Sequence, residues 1–115
     1  MKITLGFSPC PNDTYIFAAM VNGWIDTHGL EFEVYMEDVE TLNAWAAESR
    51  LDITKMSFHR SLYLQESYDL LSSGAALGNG CGPLVIAKQT LSRKEVITDT
   101  VALPGYWTTA HLLFR

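Results

Sequence analysis

Two short segments carry side chains that could hold an anion. Lys55-Met56-Ser57 sets an ammonium two residues from a hydroxyl, and Thr108-Thr109-Ala110 sets two hydroxyls just ahead of the apolar run Leu112-Leu113-Phe114. Such groups can donate hydrogen bonds to a carboxylate. A third polar turn, Ser8-Pro9-Cys10-Pro11-Asn12-Asp13-Thr14, also leads into a helical pattern. Free N–H groups and partial positive charge at helix N-termini suit all three places to anions. Plainer roles are open to the same residues. Ser57, Thr108 and Thr109 could simply cap helices, Lys55 could be a solvated side chain, and Pro9 and Pro11 could only stiffen a turn.

Other reactive residue types point less clearly. His28, His59 and His111 lack metal-ligand spacing. His59 follows Ser57 by two residues and is a weak candidate for acid–base work, whereas His111 reads as a helix-face residue and His28 as surface. Cys10 has no base partner in the sequence that would make it a nucleophile. Gly78-Asn79-Gly80-Cys81-Gly82 matches neither the phosphate-loop nor the dinucleotide pattern and reads as a chain reversal or hinge. Trp107 stands close enough to the Thr-Thr turn to touch a ligand; Trp24 and Trp45 read as core or edge residues.

The elements that position these turns follow from periodicity. Residues 2–7 form a short buried strand, and a helix starts near Thr14, with Asn12 or Asp13 as its cap and Gly23 as its stop. Leu30, Phe32, Val34 and Met36 alternate with acidic residues, which makes residues 30–36 a half-buried strand. A helix over 39–50, a strand over 53–57 and a helix over 58–71 come next. Further strands are expected over 84–87 and 101–103, joined by a polar connection, before a helix starts near Thr108. This alternation predicts an α/β fold with a parallel sheet. Arg115 lies about two turns into that last pattern with no stop signal, so the chain is expected to be truncated.

Composition narrows the function classes. Of 115 residues, 48% are hydrophobic and 18% charged, which is a globular balance. The net charge of −5 and the scattered basic residues argue against nucleic-acid binding. No run is long enough to span a membrane and no secretory signal pattern opens the chain, so a cytoplasmic location with Cys10 and Cys81 as free thiols is expected.

The motifs also resemble a known family. Gly6-Phe7-Ser8-Pro9-Cys10-Pro11-Asn12-Asp13-Thr14-Tyr15-Ile16-Phe17 is similar to the opening motif of the 1,4-dihydroxy-6-naphthoate synthases of menaquinone biosynthesis by the futalosine route. Asp52 to Ser57, Gly80 to Val85, Leu103-Pro104-Gly105 and Thr108-Thr109-Ala110 resemble later motifs in the same order. The first motif is long and specific; the others would be weak alone. The resemblance implies a type II periplasmic-binding-protein-like fold with two α/β lobes. Residues 1–88 would form the first lobe and 89–115 the hinge with the first strand and helix start of the second. It implies a lyase acting on cyclic dehypoxanthinyl futalosine, a small-molecule carboxylate, with no metal or other cofactor. It places substrate contacts on Lys55, Met56, Ser57, Thr109 and Ala110, with Thr108 beside them. The family's base is a histidine of the second lobe, which no histidine here matches, so the catalytic base is expected beyond Arg115. A half-enzyme would expose a surface suited to homodimerisation. The same pathway's chorismate dehydratase and a non-catalytic solute-binding module are the alternatives; the Ser-Pro-Cys-Pro-Asn-Asp opening favours the synthase.

Overall fold

The computed structural model describes residues 1–80 and 82–115. Strand β1 (Lys2–Phe7) leads to helix α1 (Pro11–Val21), then β2 (Glu31–Met36), α2 (Val39–Ala47), β3 (Ile53–Thr54) and α3 (Phe58–Ser61). Helices α4 (Arg93–Thr98) and α5 (Thr109–Phe114) follow a long irregular stretch.

The three strands form one parallel sheet in the order β2-β1-β3, as the alternating pattern predicts. Lys2 pairs with Glu31 through to Phe7 with Met36, and Leu5 pairs with Ile53. The chain thus moves to one side of β1 and then to the other. Right-handed crossovers then put α1 and α2 on opposite faces. Phe7 accordingly stacks on Phe17 of α1, with ring centroids 4.9 Å apart. The other face of β1 meets α2, where Leu42 and Ala46 are buried with Leu51. Gly6 makes that approach possible: a Cβ there would lie 2.5 Å from Leu51 Cδ1 and 2.9 Å from Leu42 Cδ2.

Polar side chains close the ends of elements. Asp52 binds β1 from the entrance to β3: its carboxylate accepts from Thr4 N at 2.8 Å and Thr4 Oγ1 at 2.7 Å. Asp38 caps α2 by accepting from Glu40 N and Thr41 N.

The structure moves several boundaries. Helix α1 begins at Pro11, three residues before Thr14, because a proline in the first turn needs no N–H partner. Its N-cap is Cys10, which makes no side-chain cap bond, and neither Asn12 nor Asp13 takes that place. Strand β3 stops at Thr54, short of the expected Ser57, because the Ser57 N–H turns to Asn43 Oδ1 instead of a strand. The expected helix over 58–71 ends at Ser61 and continues as turns, with Leu64 O accepting from Ser67 N and Tyr68 N. The Tyr68 hydroxyl donates to Leu51 O at 2.8 Å and pins that end.

The expected strands over 84–87 and 101–103 are not strands. A strand needs a partner for its N–H and C=O groups, and apolar composition cannot supply one. Leu84 and Ile86 instead stand 84% and 89% exposed. Conversely, the polar connection contains α4, whose Ser92 and Glu95 form a reciprocal capping box. No helix among the described residues is long and apolar enough to cross a membrane.

Two tests follow from these contacts. Gly6→Ala should destabilise the protein by about 1–3 kcal/mol through overpacking against Leu51 and Leu42, read from urea unfolding. The Asp52 carboxyl is held below its ordinary value of 3.8, first by the Thr4 N–H and then by the Thr4 hydroxyl. A carboxyl lowered on folding contributes its full stability above the unfolded value, and that contribution disappears as pH falls through the folded value. The stability gap between the protein and Asp52→Asn should therefore be widest near neutral pH. It should close below pH 3.8, and a gap independent of pH would contradict the assignment.

Candidate functional site

The carboxyl edge of a parallel sheet is where ligands collect in open α/β folds, because strand ends and helix starts converge there. Ser8 leaves β1 at this edge and Lys55 leaves β3. Backbone pairing continues one residue past β3, since Lys55 N donates to Gly6 O at 2.7 Å. The Lys55 ammonium then donates to Gly74 O at 2.9 Å and lies 3.6 Å from Asp13 Oδ1. Its side chain is only 23% exposed.

Ser57 is organised from the opposite side, by Asn43 of α2. Asn43 Oδ1 accepts from Ser57 N at 2.9 Å, and Asn43 Nδ2 donates to Ser57 Oγ at 3.0 Å. The same amide nitrogen donates to Glu40 Oε2 at 3.2 Å. Ser57 is the N-cap residue of α3 but makes no side-chain cap bond, because its hydroxyl is engaged by Asn43. Met56 is half-buried between Lys55 and Ser57.

Helix α3 carries the link to the second candidate segment. His59 N donates to Thr109 Oγ1 at 3.2 Å, and His59 Nδ1 lies 3.2 Å from Thr108 O. A carbonyl only accepts, so His59 Nδ1 is the donor in this contact. The ring is buried against Tyr63 and Trp107, at centroid distances of 5.6 and 5.8 Å. Its observed role is to join α3 to α5. Thr108 caps α5 by accepting from His111 N, and its hydroxyl donates to Gly105 O at 2.8 Å. Ala110 follows in the first turn, half-buried. Both candidate segments, Lys55-Met56-Ser57 and Thr108-Thr109-Ala110, therefore belong to one connected set of contacts.

Glu40 closes that set. Its carboxylate accepts from Trp107 N at 3.3 Å and from Asn43, which ties α2 to the turn before α5. A Cβ at Gly105 would run into the Glu40 carboxylate, so this turn needs a glycine. Arg60 braces the same corner, donating from Nε to Asn43 O at 3.2 Å while its guanidinium stacks 3.9 Å over Trp107. Trp107 is thus engaged by Arg60, His59 and Tyr63. Cys10 is a free, exposed thiol, and the expectation for Cys81 lies outside the described residues.

Residues 3–115 match the family model for menaquinone biosynthesis. The chain belongs to the menaquinone biosynthesis family. Two curated relatives carry the name 1,4-dihydroxy-6-naphthoate synthase. That of Thermus thermophilus is 49% identical over 96% of this chain, and that of Streptomyces coelicolor is 36% identical over 98%. The chain spans only 40% and 39% of their respective lengths. A crystal structure of an Archaeoglobus fulgidus protein superimposes with a TM-score of 0.87 at 40% identity, covering 98% of this chain and 41% of that one. The fold described above is therefore shared with an experimentally observed protein.

Within this member of the menaquinone biosynthesis family, sequence reasoning found both candidate segments but missed Asn43 and Glu40, which connect them. A signal existed for Asn43. It sits beside Leu42 and three residues before Ala46, on the inward side of α2, where a polar residue needs internal partners. Asn43→Ala should cost roughly 1–3 kcal/mol, because it leaves the half-buried Ser57 N–H and Glu40 carboxylate without their enclosed partner. Ser57→Ala should cost less, since Asn43 Nδ2 retains Glu40. Urea unfolding of both variants would reveal that order, and equal costs would contradict the central place given to Asn43.

Proposed function

We propose that these residues form the substrate-binding side of a 1,4-dihydroxy-6-naphthoate synthase, a carbon–carbon lyase acting on cyclic dehypoxanthinyl futalosine by the futalosine route. The observation that carries this reading is that α3, which Ser57 starts directly after Lys55 and Met56, holds Thr108 and Thr109 through His59. Two relatives bearing the synthase name over nearly all of this chain support it.

In this reading Lys55, Met56, Ser57, Thr109 and Ala110 contact the substrate, with Thr108 setting the start of α5. An ammonium has three protons. Gly74 O receives one from Lys55 and Asp13 faces another, so the third is available to a substrate oxygen. Residues 1–88 form the first lobe of a two-lobed, periplasmic-binding-protein-like enzyme of the cytoplasm, and 89–115 form the hinge and the opening of the second lobe. The general base comes from the part of the relatives that these residues do not span, and the 115 residues alone bind substrate without turning it over.

Calorimetric titration of the chain with cyclic dehypoxanthinyl futalosine tests this. Binding should be detectable, and Lys55→Met should weaken it about 10–100-fold, the worth of a hydrogen bond from a charged group. Preferential binding of chorismate would favour the dehydratase, and turnover by the 115 residues would refute the assignment of the base.

A further inference from the structure

Asp13 is a buried carboxylate that its own helix does not use. It lies in the first turn of α1, where an acidic side chain commonly serves the free N–H groups of the helix. Here α1 has no side-chain cap bond, and Asp13 is only 8% exposed. A charge so placed needs partners within the protein. Oδ2 accepts from Ser8 N at 3.1 Å and from Ser8 Oγ at 2.7 Å, and Oδ1 lies 3.6 Å from Lys55 Nζ. One oxygen is thus anchored to the loop that leaves β1, and the other faces the lysine that leaves β3.

The Lys55 backbone is fixed by its bond to Gly6 O, but the side chain is a four-carbon arm with freely rotating bonds. The ammonium has two fixed points, Gly74 O and Asp13 Oδ1. Gly74 sits in the irregular stretch between α3 and α4, with φ of 84°. Asp13 is the point tied to the sheet, through Ser8.

We propose that Asp13 is a positioning residue, whose carboxylate, anchored by Ser8, sets where the Lys55 ammonium stands and leaves one of its protons directed to substrate. This deepens the proposed function and rests on its reading of Lys55 as a substrate contact. The Ser8–Asp13–Lys55 chain makes the opening motif part of the site, although no residue of that motif need touch the ligand.

The test has two arms. In the first, without ligand, the chain is pulse-labelled with a water-soluble acetylating ester, and lysine modification is mapped by mass spectrometry. Asp13→Asn, which can still accept from Ser8 but has no charge, should raise Lys55 labelling severalfold relative to Lys88 and Lys94. Asp13→Glu should restore part of the protection. Unchanged Lys55 labelling in a folded Asp13→Asn variant overturns the proposal. Should that variant not fold by circular dichroism, Ser8→Ala decides instead, since it removes one donor that anchors the carboxylate. A smaller rise in Lys55 labelling supports the proposal and no rise overturns it. In the second arm, cyclic dehypoxanthinyl futalosine is titrated into each variant. Weaker binding by Asp13→Asn is expected. Tighter binding would show that Asp13 merely offsets the lysine charge, and would overturn the positioning role. If the unaltered chain does not bind the compound while the labelling difference holds, the substrate assignment fails and the placement of Lys55 by Asp13 stands.

Discussion

Asn43 is fully enclosed, so its amide must find all its partners inside the protein. It does so with Ser57 and Glu40 alone: two donated bonds and one accepted. Ser57 begins α3, Glu40 holds the turn before α5, and the Asn43 backbone carbonyl holds Arg60 beneath Trp107. Helix α3 and the turn before α5, far apart in sequence, are thereby tied to α2 by Asn43 and Glu40 together. Apolar packing alone would allow α3 and α5 to slide, because hydrophobic contact has no direction. A satisfied buried amide does not allow this, since a small displacement would leave polar atoms without partners.

The two candidate segments are held by different kinds of force. Lys55 is placed by charge and by the sheet, through Asp13 and the pairing with Gly6. Thr108 and Thr109 are placed by helix-end hydrogen bonding, through His59, Gly105 and His111. The hydroxyls on that side are engaged by structural partners. Sites built this way gain precision from rigid elements rather than from loops.

What could be read from the sequence follows the physics of each signal. Strand β1 and the sheet's parallel sense were legible because Ile3, Leu5 and Phe7 alternate along one strand and a β/α alternation leaves few other arrangements. The start of α1 at Pro11 and the capping box of α4 are also written in the residues, as a proline before a helical run and as Ser92-x-x-Glu95. The failure over Leu84 to Ala87 is of another kind. Those residues have strand composition, yet pairing depends on a partner elsewhere, which local pattern does not encode. Lys55, Ser57, Thr108 and Thr109 were visible as donors next to helix starts. The inward place of Asn43 on α2 was readable, but its partners and those of Glu40 were not, because they lie 14 and 67 positions further along.

Strand β1 is both the first strand in the chain and the middle strand of the sheet. Folding must bring it a neighbour on each edge. Its first partner, β2, is complete only at Met36, and the second, β3, only at Thr54. Until then its open edges are free to pair with other chains. The sheet is therefore whole only once Thr54 is in place, and a chain folded no further than β2 still carries one unpaired edge on its middle strand.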